Sequence, residues 1–508
     1  MQKNKAKIAK NSLMLFVRMG VTVIVSLYTS RVVLQQLGVS DFGIYNVVGG
    51  IVSLMTFINA SMTHGIQRYF NYYRAKSDLT SEQKVFSASI TILVSLALLI
   101  LILGETIGLW FLNTYINIPE ERIFAANWVY QFSLITCIIT LFQTPFTAQI
   151  VANEDMQVYA YVSFVEVGLK LTMVFLLCIV LLDKLILYAA LMMLVTGIVS
   201  SIYMIYCKRR YLSCRFGMVK DKSVYTDLLS FSGWTILGTS ANLLSVQGMN
   251  IILNIFFGTI VNAARGIAVQ ISTQLDNLIN NIQVAMNPQL IQLYSVGKIT
   301  EMQNLLLDNF KWNFYLFWVC GCPILFNTKE ILYYWLGEVP EYTIVFTQLV
   351  IIRCLLKTFE RPLITATMAY GKMKYPSIIS GMILITEVIV ALGLFNLGFP
   401  PYWAYLVDLI GVLGCIIYDI AFLQAKRIFG FSLFIQKAFS GVILIICVSA
   451  LLSYFSCQYI SDTSFLFFAV RLGVVSILCI VTIYTLGLTT SQRQFLNSKI
   501  KYLVHGNH

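Results

Sequence analysis

Apolar runs about as long as a bilayer is thick alternate with short polar breaks from one end of this chain to the other. Runs near residues 11–36, 42–64, 85–112, 123–150, 158–182, 185–206, 232–256, 266–294, 312–336, 343–369, 376–397, 402–424, 434–457 and 464–488 each reach the ~20 residues that a membrane-crossing helix needs. The pattern predicts an all-α integral membrane protein with about 14 transmembrane helices. The longest break, from Cys207 to about Phe231, is a basic linker and too short for a soluble domain. It divides a first group of six spans (1–210) from a second (211–430). Two further spans (431–490) and a polar tail (491–508) follow.

A faint repeat runs through this arrangement. The first span ends in Leu37-Gly38 and the second opens near Gly43, whereas the seventh ends in Phe257-Gly258 and the eighth opens near Gly266. Each second member then leads into a basic stretch, Tyr72-Tyr73-Arg74-Ala75-Lys76 or Leu293-Tyr294-Ser295-Val296-Gly297-Lys298. Six spans per repeat give both the same orientation. The expectation is two six-helix bundles related by a parallel pseudo-two-fold along the membrane normal, plus two C-terminal helices.

Composition removes the soluble alternatives. Hydrophobic residues make up 58% of the chain and charged residues 11%, with a mean hydropathy of +0.78, which excludes an ordinary soluble enzyme. The net charge of +12 would point to nucleic acid in a soluble chain. Here the cations gather at the N-terminus and on alternate loops, as in Lys3 to Lys10, Arg74 to Lys84 and Lys208 to Lys222. Cationic loops stay on the cytoplasmic side, so both termini are expected inside and no nucleic-acid partner is expected. The N-terminal apolar run is too long for a signal peptide and is read as the first helix. Eleven cysteines show no zinc spacing. No phosphate-binding glycine loop or nucleophile triad occurs, so neither an enzyme nor a cofactor is expected.

Candidate chemistry lies inside the spans. Arg353, Lys357 and Arg361 recur every four residues and share one helix face. A charge at mid-bilayer costs ~2.5–3.5 kcal/mol, so three of them must face protein or water, and a cationic stripe suits phosphate. The alternatives are neutralisation by Glu360 and snorkelling of Arg361. Both Arg353→Ala and Lys357→Ala are expected to abolish activity without loss of protein from the membrane. Arg18 and Arg31 in the first span either snorkel or face a cavity. Glu166 and Lys170 form an i,i+4 pair, structural or titratable. The eighth span carries Gln270, Gln274, Asn277 and Asn281 on one face, and the seventh adds Asn250 and Asn254. Lipid cannot satisfy these amides. They either join helices or hydrogen-bond sugar hydroxyls. Asp276, Glu387 and Asp408, with Glu166, are candidates for proton or sodium coupling. Asp419 is expected to pair with Lys426 or Arg427.

The segment Leu37-Gly38-Val39-Ser40-Asp41-Phe42-Gly43-Ile44-Tyr45 resembles the LG-x-x-x-(F/Y)-G-x-Y signature of bacterial polysaccharide exporters. Asn262-Ala263-Ala264-Arg265-Gly266-Ile267-Ala268 and Asn287-Pro288-Gln289-Leu290 are similar to stretches in the O-antigen and capsule flippase branch. That branch belongs to the superfamily of multidrug and toxin extrusion transporters and peptidoglycan-precursor flippases. Phe16-Val17-Arg18 is similar to an arginine-bearing start in the latter. The resemblance implies two bundles facing a central cavity, alternating access, and residence in the bacterial cytoplasmic (inner) membrane. It also implies export of an anionic lipid-linked oligosaccharide, of the polyprenyl-pyrophosphate type, for lipopolysaccharide or another surface polysaccharide. Partners would be that lipid, the surrounding membrane lipids, and polymerase and glycosyltransferases of the same pathway. The alternative is cation-coupled drug efflux, which calls for an acidic cavity.

Overall fold

The computed structural model describes residues 2–53, 62–63, 66–67, 69–70, 73–74, 78–153, 155–217, 219, 221–370, 374–459, 465–488, 490 and 492–494. Among them the regular structure is entirely helical. Helix α1 spans Gln2–Ser53, α2 Leu79–Leu103, α3 Leu109–Tyr115, α4 Ile123–Ala152, α5 Met156–Ile179, α6 Lys184–Arg210 and α7 Lys222–Ser295. Then come α8 Ile299–Phe326, α9 Thr328–Leu336, α10 Thr343–Tyr370, α11 Lys374–Asn396, α12 Trp403–Ala425, α13 Ser440–Tyr459 and α14 Phe465–Thr482. Nine helices among the described residues are long and apolar enough to cross a membrane. Helix α10 falls short of that apolarity because it carries Arg353, Lys357, Glu360 and Arg361. Polar spans are those expected to face protein or water. The apolar ones carry outward side chains such as Met382 and Ile389 on α11, more than 60% exposed, as a lipid-facing surface would. This is an all-α integral membrane protein.

The repeat read from the sequence has a backbone counterpart. Helices α1 and α7 are each broken once, at Gly38 (φ 78°, ψ 169°) and at Gly258 (φ 78°, ψ −169°). This region of backbone space is essentially restricted to glycine. Each break separates two predicted spans, the first from the second and the seventh from the eighth.

The chain divides into two compact units, residues 1–266 with 388–401 and residues 267–387 with 402–508. In the first, the second half of α1 lies so close to α7 that a Cβ on Gly43 would fall on the Thr259 backbone carbonyl. Asn46 touches Gly266 from the same stretch. A π turn at Gly104–Gly108 interrupts the path from α2 to α3, and the hydroxyl of buried Tyr130 donates to the Gly104 carbonyl at 2.8 Å.

One cation ties together the turns after the first, third and fifth predicted spans. The Arg122 guanidinium donates to Asp41 at 2.8 and 2.5 Å and to Asp183 at 2.6 and 3.2 Å. Asp183 also caps α6 by accepting from the Leu185 and Ile186 N–H groups. Burial raises the Asp41 pKa more than Arg122 lowers it. At Asp183 burial also pulls upward, but the Arg122 hydrogen bond and the helix N–H groups outweigh it, and the carboxyl is held below its usual range. A depressed carboxylate contributes stability above its unfolded value of about 4, and loses it as pH falls through the folded value. The raised Asp41 does the reverse, its contribution being present at low pH and lost as pH rises. Asp183→Asn keeps a good N-cap and deletes the charge. It should lower the melting temperature at neutral pH, with the gap to wild type closing below about pH 4. An equal gap at every pH would contradict the clasp.

In the second unit, Phe310, Phe314 and Phe317 of α8 are fully buried. The last two helices are fastened to this core by polar contacts. Trp318 donates to Ser449 at 2.8 Å and Tyr315 donates to the Gly487 carbonyl at 2.7 Å. Buried Arg471 meets Glu330 at 2.9 Å and Asn327 at 2.5 Å.

Candidate functional site

Within the second unit, the cationic stripe of α10 meets two other helices. Arg353 forms an ion pair with Asp408 of α12. The Lys357 ammonium lies 3.1 Å from Asp276 of α7, and Arg361 Nη2 lies 3.6 Å from the other oxygen of the same carboxylate. Arg361 Nη1 donates to Asn280 Oδ1, one turn further along α7. Thr365 donates to Asn287 at 2.9 Å, and Ser272 faces Cys354 at 3.5 Å. Residue numbers rise together on the two helices through these contacts. The C-terminal half of α7 and α10 are therefore parallel, as expected for the eighth and tenth spans.

The ladder is largely buried and not fully satisfied. The ion-paired side chains are 15–18% exposed except Arg361, at 30%. Asp276 Oδ1 and Arg361 Nε are buried with no hydrogen-bond partner among the described residues; the 3.6 Å from Asp276 Oδ1 to Arg361 Nη2 is too long for a hydrogen bond. The guanidinium thus spends one nitrogen on an amide and offers the rest of its fork to a carboxylate that does not fill it. Such a fork matches carboxylate or phosphate through two parallel hydrogen bonds.

The alternative of neutralisation by Glu360 is not what the ion pairs show. Glu360 forms none of the ion pairs among the described residues, and Asp276 and Asp408 take its place. Removing Arg353 alone would therefore strand a buried carboxylate, so single alanine substitutions are not structurally silent. Asp419 is buried and forms no ion pair among the described residues. Lys426 instead sits 5.8 Å over the Tyr370 ring. Glu387 of α11 is buried against Gly411 of α12, where a Cβ would collide with its carboxylate.

The other candidates are spread more widely. In α7, Gln274 and Asn277 are half-buried and make no side-chain hydrogen bond among the described residues. Gln270, also half-buried, has a polar partner. Asn250 and Asn254 belong to the first unit. Asn254 accepts from the Asn117 N–H at 2.9 Å and donates to its carbonyl at 3.4 Å, holding a loop. Asn250 donates to the Asn46 carbonyl at 3.2 Å and accepts from Asn262 at 2.6 Å. Lys170 and Glu166 pair at 2.7 Å, both about one-third exposed, and Arg31 is exposed. The side chains of Arg18 and Asn281 lie outside the described residues. The first unit also holds a cavity of about 250 Å³ lined by Tyr45, Gly49, Ser53, Thr136, Thr140 and Met192, among others.

Sequence reasoning missed the Arg122 clasp, the Asn46–Asn250–Asn262 network and the Arg471–Glu330 pair. Asp41 and Asn262, inside the exporter-like segments, and Asn250, among the amides of the seventh span, offered a signal, but their pairing did not.

Among solved structures, the chain is similar to lipid II flippase MurJ in an inward closed conformation. Identity is 11%, coverage 97% of this chain and 100% of that one, and the TM-score 0.69. It is also similar to a multidrug resistance MATE family transporter of the MOP superfamily, inward-facing, with 14% identity, 81% and 97% coverage and a TM-score of 0.64. An outward-facing structure of such a transporter gives 13%, 80% and 97%, and 0.53. At these identities the likeness establishes the fold. No curated protein sequence matches the chain. Residues 7–293, more than half of the chain, match the family model described as polysaccharide biosynthesis protein, and the chain belongs to the polysaccharide biosynthesis protein family.

Proposed function

We propose that the protein is a flippase that moves an anionic lipid-linked oligosaccharide of the polyprenyl-pyrophosphate type across the bacterial cytoplasmic membrane. The observation that carries this reading is the α10 stripe. Three cations share one face of a helix expected to span the bilayer, where lipid exposure would be too costly, and Arg361 Nε is left without a hydrogen-bond partner among the described residues. Membership of the polysaccharide biosynthesis protein family supports this reading, and the polysaccharide would be one of the cell surface. Alternating access is supported by the fold, whose solved members include inward- and outward-facing forms. The transport bundles would be residues 1–210 and 211–430. Amides left open on α7, Gln274 and Asn277, would bind sugar hydroxyls. An ion carried by Glu166, Asp276, Glu387 or Asp408 would reset the carrier. Both termini and the Lys208–Lys222 loop would be cytoplasmic, which labelling of single introduced cysteines from either side tests.

Cation-coupled efflux is the second reading, and one observation favours it. Asp408 pairs with Arg353 and Asp276 with both Lys357 and Arg361, so the stripe is not a bare positive surface. Binding separates the two. Protein in nanodiscs should gain thermal stability with undecaprenyl pyrophosphate but not with undecaprenol, and Arg361→Gln should lose the gain. Stabilisation by a lipophilic cation such as tetraphenylphosphonium, with none by the pyrophosphate lipid, would support efflux instead.

A further inference from the structure

We infer that Asp276 is an internal stand-in for the substrate's oxyanion: its carboxylate occupies the place between Lys357 and Arg361 that a phosphate oxygen pair takes on binding. The inference rests on the flippase reading for what that oxyanion is attached to, and on geometry for the rest. Asp276 serves two cations with one carboxylate and serves them unequally. One oxygen reaches the Lys357 ammonium at 3.1 Å. The other stops 3.6 Å short of Arg361 and is buried with no hydrogen bond. Arg361 Nε is likewise buried without a partner among the described residues. The Asp276 carboxylate, fixed to α7, bonds one cation and stays beyond hydrogen-bond distance of the other. A pyrophosphate linked to lipid and sugar carries two free oxygens on each of two tetrahedral phosphorus centres, and can bond the ammonium with one and the guanidinium edge with others.

A carboxylate in that place has two effects. It keeps Lys357 and Arg361 paired when no substrate is present, which a buried cation requires. It also competes with the substrate, so that binding stays weak enough for release on the far side. A cationic site without such a competitor would hold a pyrophosphate and slow turnover, since only differential affinity between states drives a cycle. Asp408 does not have this role, because Arg353 alone faces it.

Inorganic pyrophosphate is the probe, added to purified full-length protein in nanodiscs, with sodium chloride at matched ionic strength as control. Asp276→Asn should bind pyrophosphate at least about tenfold more tightly than wild type, and flip lipid-linked substrate more slowly in liposomes. If the unpaired cations destabilise this variant, pyrophosphate should raise its melting temperature by more than it raises that of wild type. Asp276→Asn combined with Lys357→Gln should lose that anion-specific gain, which a merely structural aspartate would not predict. Equal or weaker pyrophosphate binding by Asp276→Asn, alongside measurable binding by wild type, overturns the stand-in role and leaves the flippase reading intact. No binding of pyrophosphate or of the pyrophosphate lipid by either protein overturns both.

Discussion

Arg353→Ala alone is expected to cost about 3–5 kcal/mol of stability, the range for removing one partner of a buried ion pair, and to reduce the amount of folded protein in the membrane. Its partner Asp408 is only 17% exposed and would remain as an uncompensated charge. Arg353→Met combined with Asp408→Leu removes both charges and fills their space. Replacing a buried pair by apolar side chains of similar volume is often neutral or stabilising, so the double variant should return to near wild-type melting temperature. Surface glycan export should nevertheless stay lost, because the stripe would lack its first cation. Normal export by the double variant would reduce the pair to a structural fastener. A single variant as stable as wild type would mean that the pair is not buried as described.

Gly43→Ala should lower the melting temperature by several degrees, whereas Gly49→Ala, six residues along the same helix, should leave it unchanged or raise it. The Gly43 Cβ would collide with the Thr259 backbone carbonyl, and a backbone atom cannot move aside as a side chain can. Overpacking of this kind costs ~1–3 kcal/mol and occasionally more. A Cβ on Gly49 meets nothing within 4 Å, so the substitution should gain up to ~1 kcal/mol of helix propensity. The comparison holds helix and residue type constant and varies only the space. Equal effects at the two positions would contradict the close approach of α1 to α7.

These predictions also mark where sequence reasoning reached and where it stopped. Span lengths and the loop cations are local properties, and they gave the helical membrane class. The repeat was legible in Leu37-Gly38 and Phe257-Gly258 because a positive φ has to be written as glycine at both places. Steps of four put Arg353, Lys357 and Arg361 on one face, since helix geometry alone decides that. What that face meets depends on which helices pack beside it. Asp276 and Asp408 are far from α10 in sequence, and no periodicity connects them to it. The same limit explains Asn254, whose spacing from Asn250 fits a shared lining although its side chain is bonded to the Asn117 backbone. Asp41 stands in a recognisable signature, but its partner Arg122 lies 81 residues away, and no local pattern connects the two.

The central claim is that this member of the polysaccharide biosynthesis family carries a lipid-linked pyrophosphate from one leaflet to the other. The most direct measurement uses liposomes holding purified protein and a fluorescent undecaprenyl-pyrophosphate oligosaccharide, quenched from outside by an impermeant reductant. Imposed proton, sodium and electrical gradients form separate arms. The account predicts that the protein makes the inner-leaflet half of the probe accessible, that one of the gradients accelerates this, and that Arg353→Met with Asp408→Leu abolishes it. Probe accessibility no faster than in protein-free liposomes under every gradient, together with uptake of a lipophilic cation by the same vesicles, would contradict it.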